Sequence, residues 1–138
     1  MHCGFERREI DLKILVLGGS YFLGRVFVMQ TASEHEITVV NRGTYSMESF
    51  GAKQVTGDRG DSATWKRCEG DYDVLVDFCA YHKDEIATVL NHLSGRIGQY
   101  ILISTVDVYE HGGNSLKDED YPFESRDVSG EAGDYIKG

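Results

Sequence analysis

A glycine-rich segment near the N-terminus is the part of the chain whose residue types and spacing most clearly suggest chemistry. It follows an apolar run and comprises Gly18, Gly19, Ser20, Tyr21, Phe22, Leu23 and Gly24. A tight turn between a strand and a helix lets backbone N–H groups and the helix N-terminus face a pyrophosphate. Because glycine motifs alone are weak signals, a tight turn that binds nothing is the alternative. The apolar run before it, the helical pattern after it and a polar residue about 20 positions further on favour nucleotide binding.

Small and polar residues also follow the other apolar runs of the chain. They are Asn41 and Arg42, the turn Gly57-Asp58-Arg59, the segment Asp77-Phe78-Cys79-Ala80, and the pair Ser104-Thr105. In open parallel sheets, ligands bind beyond the carboxyl ends of the strands. We therefore expect these residues to meet at one edge of a sheet.

The elements that would position these residues alternate between strand and helix patterns. Apolar and β-branched runs predict strands over 13–17, 37–40, 52–56, 73–77 and 100–104. Helical spacing predicts helices from Tyr21 to Gln30, from Asp61 or Ser62 to near Gly70, and over 84–93, the last with Gly95 as its C-terminal stop. This alternation implies crossover connections. We therefore predict an α/β fold, a doubly wound, Rossmann-like parallel sheet of five strands in the order 3-2-1-4-5.

Composition and charge exclude several classes of protein. The 138 residues suit one domain, and a net charge of −9 disfavours nucleic-acid partners, which need a basic surface. No apolar run approaches the 18 or so residues that span a bilayer, and none forms a signal-peptide core, so we expect a cytoplasmic protein without a membrane partner. Three widely spaced cysteines indicate neither a disulfide framework nor a metal site. The stretch from Asp107 onward carries −6 of the charge, and within it 111–138 is predicted to be an acidic loop and the start of a truncated helix.

On these residues the chain resembles the short-chain dehydrogenase/reductase superfamily, in its extended and atypical branches, which include nucleotide-sugar epimerases and dehydratases. The extended pattern is Gly-x-x-Gly-x-x-Gly. Gly18 and Gly24 match its first and last glycines, and Tyr21 stands at the middle one. A Gly-Gly-Ser/Thr-x-Phe-x-Gly turn also looks like the atypical branch that includes the chloroplast stem-loop-binding proteins. The resemblance covers nearly the whole chain, 1–138, but only about the first half of a family member.

The resemblance implies a nicotinamide dinucleotide cofactor. Asn41 stands where NAD-specific members place an Asp, and the guanidinium of Arg42 can pair with a 2′-phosphate, which favours NADP over NAD. A solvated arginine in a turn is the alternative for Arg42. Asp58 and Arg59 match the family's turn near the adenine, although a simple turn explains them as well. Ala80 would let the cofactor lie flat, and we assign Cys79 to packing.

The same resemblance places a reaction centre after the fifth strand. Ser104 opens a segment like the family's Ser-Ser/Thr-x-x-Val-Tyr, in which Thr105 would bind the substrate oxygen that is oxidised. A Ser-Thr pair that caps backbone groups is the alternative. The pair Val106-Asp107 lacks the first acid of the 4,6-dehydratases. Tyr135 is the candidate base, but the lysine of Tyr-x-x-x-Lys would fall one position after Gly138, so its pKa should stay near 10. An exposed tyrosine in a frayed tail is equally consistent with Tyr135.

We therefore expect the N-terminal dinucleotide-binding domain of an NAD(P)-dependent sugar-nucleotide epimerase or reductase-like protein. Its C-terminal substrate domain would be missing, and the chain would be inactive alone. The full-length protein would bind a nucleotide-sugar-like small molecule. The fifth strand would be an exposed edge and could support a homo-oligomer. The alternative is an atypical, non-catalytic module of the same fold that senses a nucleotide or binds RNA.

Overall fold

The computed structural model describes residues 11–104 together with Tyr109, Asp120 and Pro122. Within these residues, five strands and three α-helices follow one another. They are β1 (Lys13–Leu17), α1 (Phe22–Thr31), β2 (Glu36–Asn41), β3 (Lys53–Thr56), α2 (Ser62–Lys66), β4 (Tyr72–Asp77), α3 (Lys83–His92) and β5 (Ile97–Leu102), with a 3-10 turn at Glu48–Phe50. The alternation predicted from the sequence is therefore confirmed.

All neighbouring strands are parallel and lie in the order β3-β2-β1-β4-β5. This doubly wound order is the predicted one. The chain adds β2 and β3 on one side of β1 and then crosses to add β4 and β5 on the other side. The gap between β1 and β4 is therefore the switch point at which such sheets bind ligands. The central strand β1 is buried from Ile14 to Leu17, as its continuous apolar run predicts for a strand covered on both faces.

The two faces of the sheet carry separate apolar cores because successive side chains of a strand point to opposite faces. On one face, Leu15 and Leu75 pack with the fully buried Trp65 of α2. On the other face, Val16 packs with Val28 of α1 and with Met47. The helices therefore lie on both sides of the sheet, and the carboxyl edge between them stays open.

The sequence places β5 a few residues too late. The strand begins at Ile97, and Gln99 and Tyr100 pair with Val74 and Leu75. Gly98 interrupts the apolar run, yet it belongs to β5. Glycine suits this position because a Cβ there would lie 2.6 Å from the Asp73 carbonyl oxygen. Because β5 is an outer strand, it is more exposed than the central strand β1, and 42% of the surface of Leu102 is open to solvent. The expected exposure of the fifth strand is confirmed.

The end of α3 is also different from the prediction. The helix ends at His92, and Leu93, the C-cap, is extended rather than left-handed. Gly95 is therefore not a left-handed helix stop. It is needed for close approach, because a Cβ on Gly95 would lie 1.8 Å from the carbonyl oxygen of Gly70.

Two further observations concern the remaining parts of the chain. The predicted acidic loop lies outside the described residues apart from Asp120 and Pro122, which are both exposed. Within the described part of the chain, none of the helices has both the length and the apolar character needed to cross a bilayer.

We expect Gly95→Ala to lower the free energy of unfolding by about 2–3 kcal/mol, because the added methyl group must displace the backbone at Gly70. Urea unfolding followed by circular dichroism measures the change. Ser94→Ala is the matched control, since Ser94 is exposed and adjacent. Equal midpoints for the two variants would contradict the close contact.

Candidate functional site

A cleft of about 690 Å³ opens at the carboxyl edge of the sheet. Segments at the carboxyl ends of all five strands line it: the turn after β1, the loop after β2, the turn after β3, the segment after β4 up to the first turn of α3, and Ile103 directly after β5. From the first segment it takes Gly18 and Ser20–Gly24, from the second Asn41, Arg42, Thr44 and Tyr45, from the third Gly57–Arg59, and from the fourth Phe78, Cys79, Tyr81 and Glu85. The structure thus brings together most of the residues singled out in the sequence.

Glycine is required at both ends of the turn after β1. Gly18 has a φ of +76°, a left-handed conformation that favours glycine. Gly24, in the first turn of α1, lies so close to the preceding loop that a Cβ would be 2.3 Å from the Gly18 carbonyl oxygen. Gly19 has a different environment: a Cβ there would lie 2.9 Å from Val16 Cγ1, so this residue faces the core and does not line the cleft.

Tyr21 and Phe22 form an aromatic pair at the mouth of the cleft. Tyr21 is in the extended conformation, with φ −139° and ψ 146°, so its position does not need glycine. The positive φ instead falls on Phe22, at +42°. The two rings pack edge to face with centroids 4.2 Å apart, and they remain 62% and 77% exposed. The tyrosine ring therefore lies at the rim, which leaves room beneath it.

The start of α1 differs from the starts of the other two helices. The side chain of its N-cap residue, Tyr21, makes no capping hydrogen bond, and its first turn has no acidic residue. In α2, the Asp61 carboxylate accepts a hydrogen bond from the Ala63 N–H at 2.9 Å. At the start of α3, the Glu85 carboxylate accepts from the N–H groups of Tyr81 and His82. The N–H groups and positive dipole end of α1 are thus left uncapped at the cleft.

The loop after β2 is shaped by Asn41. Its Oδ1 accepts a hydrogen bond from the Gly43 N–H at 2.8 Å, and its Nδ2 donates to the Tyr45 carbonyl oxygen at 3.0 Å. Arg42 is exposed and forms no ion pair with another residue of 11–104. In the turn after β3, the Asp58 carboxylate is exposed and accepts from the Gly60 N–H.

A buried ion pair joins Arg59 to Asp77. Arg59 Nη1 donates to Asp77 Oδ1 at 3.0 Å, and Nη2 donates to Oδ2 at 2.7 Å. The Tyr100 hydroxyl donates to Oδ2 at 2.5 Å, and the Cys79 N–H donates to Oδ1 at 3.0 Å. Asp77 is fully buried, and within the described residues these four hydrogen bonds take the place of water around its charge.

The protonation of this cluster follows from its burial and hydrogen bonds. Burial alone would raise the pKa of Asp77, but the hydrogen bonds from Arg59, Tyr100 and the Cys79 N–H hold it below its usual value. Burial and the contact with Asp77 raise the pKa of Tyr100. Burial, followed by the charge of Asp77, raises the pKa of Cys79 to about 11. At neutral pH the cluster therefore holds one carboxylate, one guanidinium, a protonated phenol and a protonated thiol.

The remaining candidates do not line the cleft or fall outside the described residues. Ala80 is half-buried and Ser104 is exposed, and neither lines the cleft. Thr105 and Tyr135 lie outside the described residues. In the part of the chain that is described, no group of three His, Cys, Asp or Glu side chains could hold a metal ion.

Sequence reasoning missed Tyr45, Tyr81, Glu85 and Tyr100 as parts of this site. An acid that directly follows a short apolar run at the end of a strand, as Asp77 does, is the available signal for a buried partner, because a charge is rarely buried alone. That signal does not name the partner. Tyr45 and Tyr81, which are exposed at the cleft, carry no spacing pattern that would have identified them.

Comparison with known proteins places this geometry in context. No protein-family model and no curated protein matches the chain. Among solved structures, a UDP-N-acetylglucosamine 4-epimerase from Methanobrevibacter ruminantium M1 matches 92% of this chain at 16% identity with a TM-score of 0.70. The Bordetella bronchiseptica enzyme WbmG, in complex with NAD and UDP, matches 83% of this chain at 16% identity with a TM-score of 0.63. A short-chain dehydrogenase/reductase from Veillonella parvula DSM 2008 matches 70% at 15% identity with a TM-score of 0.60.

These similarities establish the architecture as a Rossmann-like domain of the kind found in short-chain dehydrogenases/reductases and UDP-sugar 4-epimerases. The resemblance expected from the sequence is confirmed at the level of the fold. The chain spans 46%, 44% and 49% of the three solved structures, which is less than half of each.

We expect Asp77→Asn to lower the free energy of unfolding at pH 7 by about 3–5 kcal/mol, because Arg59 would lose its buried partner. The pKa of Asp77 is lower in the folded protein than in the unfolded chain, where it is about 3.9. The contribution of its charge to the free energy of unfolding is therefore complete at pH values above that unfolded-state pKa. It is lost as the pH falls through the lower folded-state pKa. Urea unfolding at pH 7, 5 and 3 should therefore show the gap between the two proteins narrowing only at the lowest pH.

Asp71→Asn is the matched control, since the ion pair of Asp71 with Arg96 is exposed. It should shift the unfolding midpoint at pH 7 far less than Asp77→Asn does. Similar shifts for the two variants would show that the buried pair has no special role.

Proposed function

We propose that the cleft binds a nicotinamide dinucleotide, with its pyrophosphate against the turn from Gly18 to Gly24. The observation that carries this proposal is the uncapped N-terminus of α1, which opens into a cleft where two glycines bring the backbone close. A dinucleotide's negative pyrophosphate is complementary to the N–H groups and the positive end of the helix dipole. The position of the cleft at the switch point between β1 and β4 supports the same assignment.

The adenosine half of the ligand would lie over the ends of β2 and β3, because the ribose of such ligands lies beyond the second strand. There Arg42 is exposed and forms no ion pair within 11–104, so it would pair with a 2′-phosphate, and Asp58 would approach the adenine. The preference for NADP is part of the proposal, and NAD is the alternative. The nicotinamide half would lie towards β4 and β5.

We propose further that the chain is the dinucleotide-binding part of a sugar-nucleotide epimerase or reductase-like protein. In that protein the bound nicotinamide supplies the hydride chemistry. Thr105 would orient the substrate oxygen, and Tyr135 would accept its proton. The matched 4-epimerase, which is in complex with UDP-N-acetylmuramic acid, and WbmG, which is in complex with NAD and UDP, support a UDP-sugar-like substrate. The chain alone should bind without turnover, and self-association through the exposed β5 belongs to the same proposal.

Binding can be measured through Trp65, the only tryptophan of the chain. Its Nε1 donates a hydrogen bond to the carbonyl oxygen of Arg59, which lines the cleft. Reduced nicotinamide absorbs where tryptophan emits, so a bound NADH or NADPH should quench Trp65 emission. We expect Gly24→Ala to raise the Kd about tenfold or more, because the added methyl group pushes the turn out of place.

Gln30→Ala is the matched control, since Gln30 is exposed on the same helix and lies away from the cleft. It should leave the Kd unchanged. The absence of any quenching with the unmodified chain would overturn the proposal. Turnover of a UDP-sugar by the chain alone would contradict its assignment as a binding part.

Cofactor preference is tested by Arg42→Asp. The unmodified chain should bind NADPH more tightly than NADH, and the variant should reverse this order by roughly tenfold or more, because a carboxylate repels the 2′-phosphate and accepts ribose hydroxyls. Fluorescence titrations with both coenzymes measure the ratio of the two Kd values. Lys66→Asp makes the same charge change outside the cleft and should preserve the ratio. An unchanged ratio in Arg42→Asp would refute the role of Arg42.

A second candidate function is a non-catalytic module that senses a nucleotide or binds RNA. The exposed rings of Tyr21, Phe22, Tyr45 and Tyr81 around the cleft favour it, since aromatic rings stack on bases. The net charge of −9 opposes an RNA backbone. Quenching of Trp65 by a single-stranded RNA, with no response to NADPH, would support this second function.

A further inference from the structure

Arg59 is anchored at both ends, which is unusual for a residue that lines a binding cleft. Its carbonyl oxygen accepts a hydrogen bond at 2.8 Å from the indole of Trp65, which is fully buried. Its guanidinium forms the two parallel hydrogen bonds to Asp77 at 3.0 and 2.7 Å. Both the backbone and the side chain are therefore fixed by buried groups, and only 13% of the side chain is exposed.

The ion pair connects parts of the sheet that are not neighbours. Arg59 belongs to the turn after β3, whereas Asp77 is the last residue of β4. In the sheet, β2 and β1 lie between these strands, and three inter-strand spacings amount to roughly 14 Å. The turn after β3 must therefore reach towards β4 on one side of the cleft, and the ion pair holds it there.

The charge of Arg59 is already balanced within the cluster. Asp77 neutralises it at hydrogen-bond distance, and Glu85 Oε1 lies 3.9 Å from its Nε. A guanidinium that faces two carboxylates gives little net attraction to a ligand phosphate. The bidentate pair uses both terminal nitrogens, and Nε is buried, has no hydrogen-bond partner among the described residues and lies beside Glu85. The residue therefore contributes geometry to the cleft and little positive potential.

We infer that Arg59 is a positioning residue that fixes the turn 57–60, and with it Asp58, at the adenosine end of the cleft. This inference rests on the proposed dinucleotide binding. Asp58 is adjacent to Arg59 and lines the cleft, and its carboxylate is oriented by the Gly60 N–H of the same turn. A loosened ion pair should therefore weaken recognition of the nucleoside and leave recognition of the diphosphate intact.

The test separates the nucleoside from the phosphates. Arg59→Lys keeps the charge but cannot form the bidentate pair. Ligand-observed NMR should show that it raises the Kd for adenosine and for AMP by the same factor, about tenfold, and leaves the Kd for inorganic pyrophosphate within about twofold. A residue that merely stabilises the fold would weaken all three ligands together, and a phosphate ligand would affect pyrophosphate and AMP but not adenosine. Either pattern overturns the inference.

The chain offers a matched control in Arg96→Lys. Arg96 also pairs with an aspartate, Asp71, through Nε and Nη2. That pair is exposed and precedes β4 and β5, at the amino edge of the sheet, so the same substitution should leave all three Kd values unchanged. A loss of adenosine affinity in Arg96→Lys equal to that in Arg59→Lys would overturn the assignment to Arg59.

Tyr100→Phe keeps the inference testable if Arg59→Lys unfolds. It removes one hydrogen bond to Asp77 and retains both charges, so it should give a smaller loss of adenosine affinity with the same unchanged pyrophosphate Kd. An unchanged adenosine Kd in every variant that folds would reject the positioning role and leave dinucleotide binding standing. Failure of the unmodified chain to bind NADPH or NADH would reject the proposed function, and the inference with it.

Discussion

The buried carboxylate of Asp77 is the constraint on which the organisation of the cleft depends. A charge without water must be matched by hydrogen-bond donors, and the four donors here come from three places in the chain. Arg59 belongs to the turn after β3, the Cys79 N–H follows β4, and Tyr100 lies on β5. The hydrogen bonds to the Asp77 carboxylate therefore connect the turn after β3, on one side of the switch point, with β4 and β5 on the other side. Loss of any donor leaves a buried polar group partly unmatched.

The second constraint is the close approach of α1 to the turn after β1. A Cβ at Gly24 would collide with the Gly18 carbonyl oxygen, so the helix can begin at this depth only with glycine at that position. Its first residues then line the cleft, and the side chain of the N-cap Tyr21 makes no hydrogen bond to its N–H groups. The left-handed Phe22 sets the direction of the helix start and leaves the adjacent Tyr21 extended, with its ring at the rim. Geometry and electrostatics thus favour an anion at the same place.

Much of the fold could be predicted from the sequence, because buried parallel strands and amphipathic helices have distinct hydrophobic periods. The run at 13–17 is continuous, and the strand order followed from alternation and the crossover rule. The start of β5 was misplaced because Gly98 and Gln99 of an outer strand interrupt the apolar pattern. Gly95 was read as a helix stop because its contact with Gly70 joins distant parts of the chain. The turn residues of the cleft were found, but no local pattern links Arg59 to Asp77 across two intervening strands.

The strand order also has a consequence for how the domain opens. Residues 13–56 form one half of the sheet, β3-β2-β1, in which strands that follow one another along the chain pair with each other. The other half joins it through β1 and β4, which pair residues 60 positions apart, such as Ile14 and Val74. Two halves of a sheet that are joined in this way commonly open separately and exchange their amide hydrogens with solvent at different rates. The ion pair between Arg59 in the turn after β3 and Asp77 at the end of β4 ties the two halves together and opposes their separate opening. Deuterium uptake at the carboxyl edge should consequently be cooperative, with β3 and β4 protected as one unit.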